Sequence, residues 1–171
     1  MTAIRAIPPS PTSAAALWAE FAADLGPEQL EACYGWKVPP ATLRPGESVW
    51  SFHDAGDLIG WGSLVKDPTT ELYWYASGVF PAFSRQGYRQ AIRRHLCAEA
   101  FGQGATAVSL CVLDTNPEHQ ERLEREEKTG SPWKVSGRVW RPTPGYLIFT
   151  VLRDDFNEIG APHWHREVGG S

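Results

Sequence analysis

The sequence has few of the features that mark a membrane protein, a secreted protein or a protein stabilised by a structural metal ion. It contains 3 cysteines among 171 residues, and Cys33, Cys97 and Cys111 lack the Cys-x-x-Cys spacing of a zinc or redox site. No apolar run approaches the roughly 18 residues of a membrane span, and the N-terminal residues lack the apolar core of a signal peptide. We therefore expect a reducing, cytoplasmic environment, no contact with a membrane and no metal site.

A strong charge of one sign is also missing. The chain carries 16 Lys+Arg and 20 Asp+Glu, for a formal net charge of −4. This balance argues against a surface that coats nucleic acid, but it leaves room for a local basic patch. A chain of this length can bury roughly 70% of its unfolded surface. We predict one domain over residues 1–156 and a loosely held C-terminal tail over residues 157–171.

The first part of the chain is predicted to contain a short edge strand and two helices. Residues 4–7 suit the strand. An apolar spacing of three and four residues over 17–25 predicts a helix that Ser13 caps and that ends at Gly26. A second short helix is predicted over residues 27–34.

The middle of the chain is predicted to form a sheet interrupted by one helix. Three strand-like runs separated by turn sequences predict an antiparallel meander; they span residues 48–52, 58–65 and 72–80. The apolar period then becomes that of a helix ending near Gly102. Residues 105–113 are almost continuously apolar, which is typical of a strand buried on both faces, and Cys111 is predicted to be a core residue there. Strand, helix and strand form a βαβ unit.

The remaining elements are a charged helix and a hairpin. Asn116 and Pro117 suit the cap and the first position of a helix. This helix is almost wholly charged, and Leu123 is its one residue suited to face a core. Residues 134–140 and 146–153 are predicted to form a terminal hairpin.

The most informative segment runs from the third meander strand through a turn into a helix. Four arginines lie in or just before the first turns of this helix: Arg85, Arg89, Arg93 and Arg94. Cations at the positive end of a helix dipole are unfavourable by a few tenths of a kcal/mol each, unless an anion is present. A bound phosphate would supply that anion, since a helix N-terminus offers backbone N–H groups and Gly87 lets the backbone approach closely. The alternative is that the arginines solubilise an exposed helix and pair with Glu99 or with distant acids.

Residues 79–91 resemble the acyl-CoA-binding motif of the GNAT N-acetyltransferase superfamily. In this motif a strand ends in Pro-x-x-[Arg/Gln]-x-x-Gly-x-[Gly/Ala] and a helix follows. Pro81 and Gly87 match the motif. Two positions depart from it, because Ser84 stands where Arg or Gln is usual and Arg89 where Gly or Ala is usual.

The order of the elements resembles the family over about residues 4–156, and the resemblance implies an α/β fold, which some schemes class as α+β. Its centre would be a mixed, mostly antiparallel twisted sheet of about six or seven strands, with a central βαβ unit and flanking helices. The resemblance also implies that a substrate amine attacks the thioester of acetyl-CoA, the co-substrate, directly in a ternary complex. The residues implied to bind acetyl-CoA are Val79, Phe80, Arg85, Gln86, Gly87, Tyr88, Arg89 and Asn116.

Specific roles follow from the resemblance for several of these residues. Main-chain amides near Val79 would hold the thioester carbonyl and stabilise the charge that develops on its oxygen. Arg89 would add a guanidinium against the pyrophosphate, and Asn116 would contact the pantetheine arm. Many members have a Tyr acid some seven residues beyond the Asn, whereas this chain has Leu123 there.

The candidates for proton transfer are Glu71, Tyr73 and His119. Glu71 and Tyr73 alternate onto one face of the third meander strand, but a solvated strand-end acid and a half-buried sheet tyrosine are the ordinary alternatives. His119 has the side chain that shuttles protons near neutral pH, and an exposed histidine is its ordinary alternative. His163 and His165 lie in the predicted tail and are weak evidence for a metal site.

The acceptor is left open among a small amine, a peptide α-amine and an amine on a modified nucleotide that stacks on some of the 8 tryptophans. Two other classes of function also stay open. A non-catalytic acyl-CoA-binding regulatory module is supported by Leu123 and Arg89, and a nucleic-acid-binding domain is supported by the arginine cluster. Homodimerisation through the terminal strands or the tail is compatible with the sequence but not specified by it.

Overall fold

The computed structural model describes residues 4–70, 72–128, 133–139, 145–159 and 168–169. Its elements, in chain order, are β1 (Ile4–Ile7), α1 (Pro11–Leu25), α2 (Pro27–Tyr34), β2 (Glu47–Asp54), β3 (Asp57–Lys66), β4 (Tyr73–Val79), a 3₁₀ turn (Pro81–Phe83), α3 (Tyr88–Gly102), β5 (Ala107–Leu113), α4 (Pro117–Lys128), β6 (Lys134–Val139), β7 (Tyr146–Leu152), α5 (Arg153–Ile159) and β8 (Val168–Gly169). Helices α1 and α2 precede the meander β2–β4, and α3 crosses from β4 to β5, as the periodicity predicts.

The strands form one sheet in the order β6-β7-β5-β4-β3-β2-β1-β8. The pairs β4–β5 and β1–β8 are parallel and the other five pairs are antiparallel. The predicted mixed, mostly antiparallel sheet with a central βαβ unit is therefore confirmed. The sheet has one strand more than the seven expected at most, because the two-residue strand β8 extends it beyond β1.

Side-chain alternation along the central strands divides the core into two layers. On β4, Tyr73, Tyr75 and Val79 pack in the layer that contains α3. Phe80, which follows β4, packs with α1 and the buried indoles of Trp18 and Trp61 in the other layer. Helices thus flank the sheet on both faces, and the end of α2 reaches across to β5.

Two local expectations from the sequence were wrong. The N-cap of α1 is Ser10 and not Ser13, because Pro11 already occupies the first helical position and the Ser10 hydroxyl accepts a hydrogen bond from the Ser13 N–H at 3.2 Å. Cys111 is exposed and not a core residue, since alternation along β5 places it on the face opposite Leu110 and Val112. Partial burial of its sulfur still raises the pKa of the Cys111 thiol to about 11.

The C-terminal residues that we expect to be a tail include the end of α5 and the strand β8. In β8, Val168 pairs with Ile4 and Gly169 pairs with Arg5. His163 and His165 lie outside the described residues. None of the helices that the structure describes is both long and apolar enough to cross a bilayer.

Candidate functional site

The site begins where two parallel strands of the sheet diverge. Within the described chain, β4 and β5 pair at Tyr73 with Val108 and at Trp74 with Ser109, and not beyond. Residues 75–79 of β4 therefore face residues 110–113 of β5 across an opening, which we call the β4/β5 gap. Both strands end at the same edge of the sheet, where ligands of α/β proteins commonly bind.

The register of β4 shows which backbone groups face this gap. The N–H of Phe80 donates to the carbonyl of Ile59 at 3.0 Å, and the β3–β4 register runs without a shift from Gly60 opposite Val79. In an antiparallel pair, successive residues direct their N–H and C=O groups to opposite sides. Because Phe80 points toward β3, Val79 and Ser77 direct their N–H and C=O groups into the gap.

The turn after β4 forms a cradle of backbone N–H groups beside the gap. Arg85 and Gly87 have left-handed φ angles of 62° and 83°, a backbone pattern that turns successive N–H groups toward one concavity. Helix α3 begins at Tyr88, and no described side chain caps it. The first N–H groups of a helix have no intrahelical acceptor, so this uncapped start is suited to an anion. A Cβ at Gly87 would meet nothing within 4 Å, so no other group packs against this side of the glycine.

The arginines of this segment have different surroundings. Arg85 is exposed on the turn and Arg89 is half-buried in the first turn of α3. Arg93, by contrast, is 2% exposed, and its Nη1 donates to Glu126 Oε2 of α4 at 3.0 Å. Its guanidinium also lies 5.5 Å from the centroid of Trp133. For Arg93, therefore, the alternative of pairing with a distant acid is confirmed.

His119 and Arg122 of α4 lie close enough to Arg89 and Arg93 of α3 for their charges to interact. Burial, followed by the charges of Arg122, Arg89 and Arg93, lowers the pKa of His119 to about 2. Burial and the same two α3 arginines lower the pKa of Arg122 to about 10, although 39% of its side-chain surface is exposed. The cations on these two helices thus oppose one another's charge, and a bound anion would relieve that repulsion. His119 is therefore a weakly basic, neutral imidazole in the free protein, and its role in proton transfer stays a prediction.

Three other predicted site residues are Tyr73, Tyr88 and Glu71, and the structure places no side chain of theirs in the cradle. The Tyr73 hydroxyl is 3.5 Å from Gln103 Oε1, at the paired end of β4. The Tyr88 side chain is buried and donates to Asp54 Oδ2 at 2.6 Å, so only the backbone of Tyr88 belongs to the cradle. Glu71 lies outside the described residues.

Asn116 lies at the end of β5, at the same edge as the turn. Its N–H donates to the carbonyl of Leu113, and its own carbonyl accepts from the N–H groups of His119 and Gln120 as α4 begins. These bonds fix the backbone of Asn116 at the end of β5, and its side chain is half-buried. Leu123 is fully buried in the core beneath α4, which leaves the family's usual acid position filled by an apolar group.

Tyr34, the last residue of α2, is a site residue that the sequence did not predict. Its hydroxyl donates to the carbonyl of Ser77 at 2.8 Å, across 43 residues of sequence, and therefore reaches into the gap. Burial of the hydroxyl raises the pKa of Tyr34 above its ordinary value, and the charge of Arg89 opposes this rise. No sequence signal could have found this residue, because its position depends on how α2 packs over β5.

A separate open cavity of about 520 Å³ lies between α1, the start of β3 and the turn after β4. Glu20 and Asp24 of α1 line it together with Leu58, Phe80 and Phe83. Two carboxylates beside apolar walls suit a cationic organic group. Among the described residues, no cluster of three or more His, Cys, Asp or Glu side chains could hold a metal ion.

Comparison with known proteins identifies the class. The profile of the acetyltransferase (GNAT) family matches residues 14–125, well over half of the chain. The chain belongs to this family, whose members use acetyl-CoA, and the resemblance seen in residues 79–91 is confirmed. Among curated proteins, no match to the sequence was found.

Solved structures with the same fold span nearly the whole chain. The enzyme AAC(6')-Ib, solved in complex with paromomycin and acetyl-CoA, has a TM-score of 0.71 at 11% identity over 94% of this chain and 99% of that one. Mutant forms of the spermidine/spermine N-acetyltransferase SpeG from Vibrio cholerae have a TM-score of 0.68 at 10% identity over 92% and 98%. A GCN5-related N-acetyltransferase from Kribbella flavida has a TM-score of 0.65 at 14% identity over 88% and 98%. At such identities the likeness concerns the fold.

Proposed function

We propose that this protein is an N-acetyltransferase that transfers the acetyl group of acetyl-CoA to a primary amine by direct attack in a ternary complex. The observation that carries the proposal is the juxtaposition of the β4/β5 gap with the uncapped start of α3 at one edge of the sheet. The gap offers strand-like backbone groups to an extended arm, and the helix start offers N–H groups to phosphates. Acetyl-CoA carries both of these features.

The residues present fit acetyl-CoA. The N–H groups of residues 85–89 would hold the pyrophosphate, and the side chains of Arg85 and Arg89 would add positive charge. The side chain of Asn116 and the backbone of Ser77 would contact the pantetheine arm. The N–H of Val79 would donate to the thioester carbonyl, where negative charge develops during attack. Acetyl-CoA supplies the activated acetyl group, and this chain positions and polarises it.

The open cavity lined by Glu20 and Asp24 supports a cationic acceptor. Glu20 and Asp24 border it beside Phe80, the residue that follows β4. An ammonium group attracted by these carboxylates would lie near the end of the strand that is proposed to hold the thioester. The fold neighbours named above include one enzyme whose name specifies spermidine and spermine. Small amines, peptide α-amines and amines of modified nucleotides all belong to the proposed class.

Calorimetric titration with acetyl-CoA and with desulfo-CoA tests the cofactor site. We expect binding to the unaltered protein and its loss in Gly87→Glu, because a carboxylate in the cradle repels phosphate. Gly104→Glu is the matched control, since it places the same side chain on the exposed turn after α3, at a similarly left-handed φ of 92° where a Cβ also meets nothing within 4 Å. Absence of binding to the unaltered protein overturns the proposal, and equal loss in both variants overturns the location of the site.

A non-catalytic acyl-CoA-binding module is the second candidate, favoured by the buried Leu123 at the family's usual acid position. Such a module would bind acetyl-CoA at the same site as the proposed enzyme but would not transfer the acetyl group. Thiol release measured with a panel of primary amines distinguishes the two functions. Thiol release that depends on an amine supports the enzyme, whereas tight binding without release across polyamines, aminoglycosides and peptides supports the module.

A further inference from the structure

Helix α2 places a hydroxyl group inside the β4/β5 gap. The helix ends over β5, where the Thr115 hydroxyl donates to the carbonyl of Ala32 at 2.8 Å. Its last residue, Tyr34, then crosses the gap and donates to the carbonyl of Ser77 on β4 at 2.8 Å. Tyr34 therefore spans the space between the two diverging strands.

Three neighbouring rings fix the orientation of the Tyr34 ring. Trp36 stacks on it, with centroids 5.1 Å apart and planes inclined by 29°. Phe21 meets it edge to face at 5.8 Å, and Trp61 contacts it at 5.8 Å with a tilt of 41°. A hydroxyl held by a packed ring loses little entropy when it meets a ligand, which is what an effective catalytic donor requires.

The hydroxyl lies beside the backbone amide that is proposed to hold the thioester. In a strand, the C=O of one residue and the N–H of the residue two positions further on are neighbours on the same edge. The carbonyl of Ser77 and the N–H of Val79 have this relation, and both face the gap. The Tyr34 hydroxyl, 2.8 Å from the Ser77 oxygen, is therefore adjacent to the Val79 N–H.

We propose that Tyr34 is a catalytic residue, whose hydroxyl donates a hydrogen bond to the thioester carbonyl oxygen together with the N–H of Val79. This inference rests on the proposed function, because it assigns a residue to the acetyl-transfer step. Two donors directed at one oxygen stabilise the negative charge that develops there in the transition state. The pantetheine arm carries amide N–H groups, which can replace the hydroxyl as donors to the Ser77 carbonyl when the gap is filled.

The hydroxyl keeps its proton throughout the reaction. The amine nitrogen forms a bond to the carbonyl carbon, and the carbon–sulfur bond breaks with its electron pair leaving on sulfur. Solvent accepts the proton of the amine and returns a proton to the thiolate. Burial raises the pKa of Tyr34, so proton donation from Tyr34 to sulfur would leave a costly buried phenolate. A neutral, buried hydroxyl is suited to donating a hydrogen bond.

The test is Tyr34→Phe, which keeps the packed ring and removes the hydroxyl. The first readout is the infrared carbonyl stretch of acetyl-CoA labelled with ¹³C at the carbonyl and bound to the protein without an amine. A hydrogen bond lowers this frequency, so we expect the carbonyl of the bound thioester to absorb at lower frequency in the unaltered protein than in Tyr34→Phe. The second readout is thiol release, for which we expect kcat to fall about 100-fold while the dissociation constant of acetyl-CoA changes less than about 3-fold.

Tyr146→Phe is the matched control, because it removes a phenolic hydroxyl from β7, on the far side of β5 from the gap. It should leave the carbonyl frequency and kcat unchanged. An equal carbonyl frequency in the unaltered protein and in Tyr34→Phe, with acetyl-CoA bound to both, overturns the role of Tyr34 and leaves the proposed function intact. Absence of binding to the unaltered protein overturns both. A fall in affinity matching the fall in kcat shows a binding role and overturns the catalytic assignment.

Discussion

The buried ion pair between α3 and α4 makes a sharp prediction about stability. Arg93 is 2% exposed and its partner Glu126 keeps 23% of its side-chain surface exposed, at an Nη1–Oε2 distance of 3.0 Å. Removing one member of a buried pair costs about 3–5 kcal/mol. Glu126 also lies 3.6 Å from Arg122 and is partly hydrated, so we expect the lower end, about 3 kcal/mol, for Arg93→Ala.

This free energy corresponds to a melting temperature about 6–12 °C lower in a domain of this size. Thermal and urea unfolding of Arg93→Ala, Glu126→Gln and the double variant measure the free energy of unfolding. The double-mutant cycle should give a coupling energy of about 2 kcal/mol between the two side chains. Arg5→Ala, at an exposed position on β1, is the control and should change stability by less than about 0.5 kcal/mol. If Arg93→Ala melts within 2 °C of the unaltered protein, about 1 kcal/mol or less, the reasoning about this ion pair is refuted.

Two further predictions concern pH and packing. His119 has a folded-state pKa lowered to about 2 by burial and by Arg122, Arg89 and Arg93, so stability should decrease as pH falls below about 6.5, by up to about 1.4 kcal/mol per pH unit. The difference between the unaltered protein and His119→Gln isolates this contribution, and parallel pH profiles would contradict it. For Gly78→Ala we expect a loss of stability of about 1–3 kcal/mol, since the new Cβ would overlap the side chains of Trp61 and Phe21. Gly102→Ala on α3 meets nothing within 4 Å and should be neutral or stabilising; equal urea midpoints for the two alanine variants would count against the packing argument.

Elements with a clear local pattern were predictable. The meander, the helix after it and the terminal hairpin follow from periodicity and turn residues, which act over a few positions of the chain. The cradle at Gly87 was also predictable from the sequence, because the spacing of Pro81 and Gly87 resembles a motif of the GNAT family. The chain is now shown to belong to that family. Whether Gly87 binds phosphate stays a prediction.

Other features depend on contacts between distant segments, which a single sequence does not specify. Arg89 and Arg93 lie four residues apart on one face of α3, and only the position of α4 determines that Glu126 pairs with Arg93. Tyr34 reaches Ser77 because α2 packs over β5. The lowered pKa of His119 likewise results from burial and from the charges of Arg122 on its own helix and of Arg89 and Arg93 on α3.

The left-handed backbone of Arg85 places stability and ligand binding in competition. A residue with a side chain costs roughly 1 kcal/mol more than glycine in this conformation, and Arg85 has a φ of 62° on an exposed turn. Directed evolution for thermal tolerance alone should therefore enrich Arg85→Gly. If the turn binds phosphate as proposed, selection for acetyl-CoA affinity should retain the guanidinium, and a library sorted under both pressures would reveal the trade-off at this one codon.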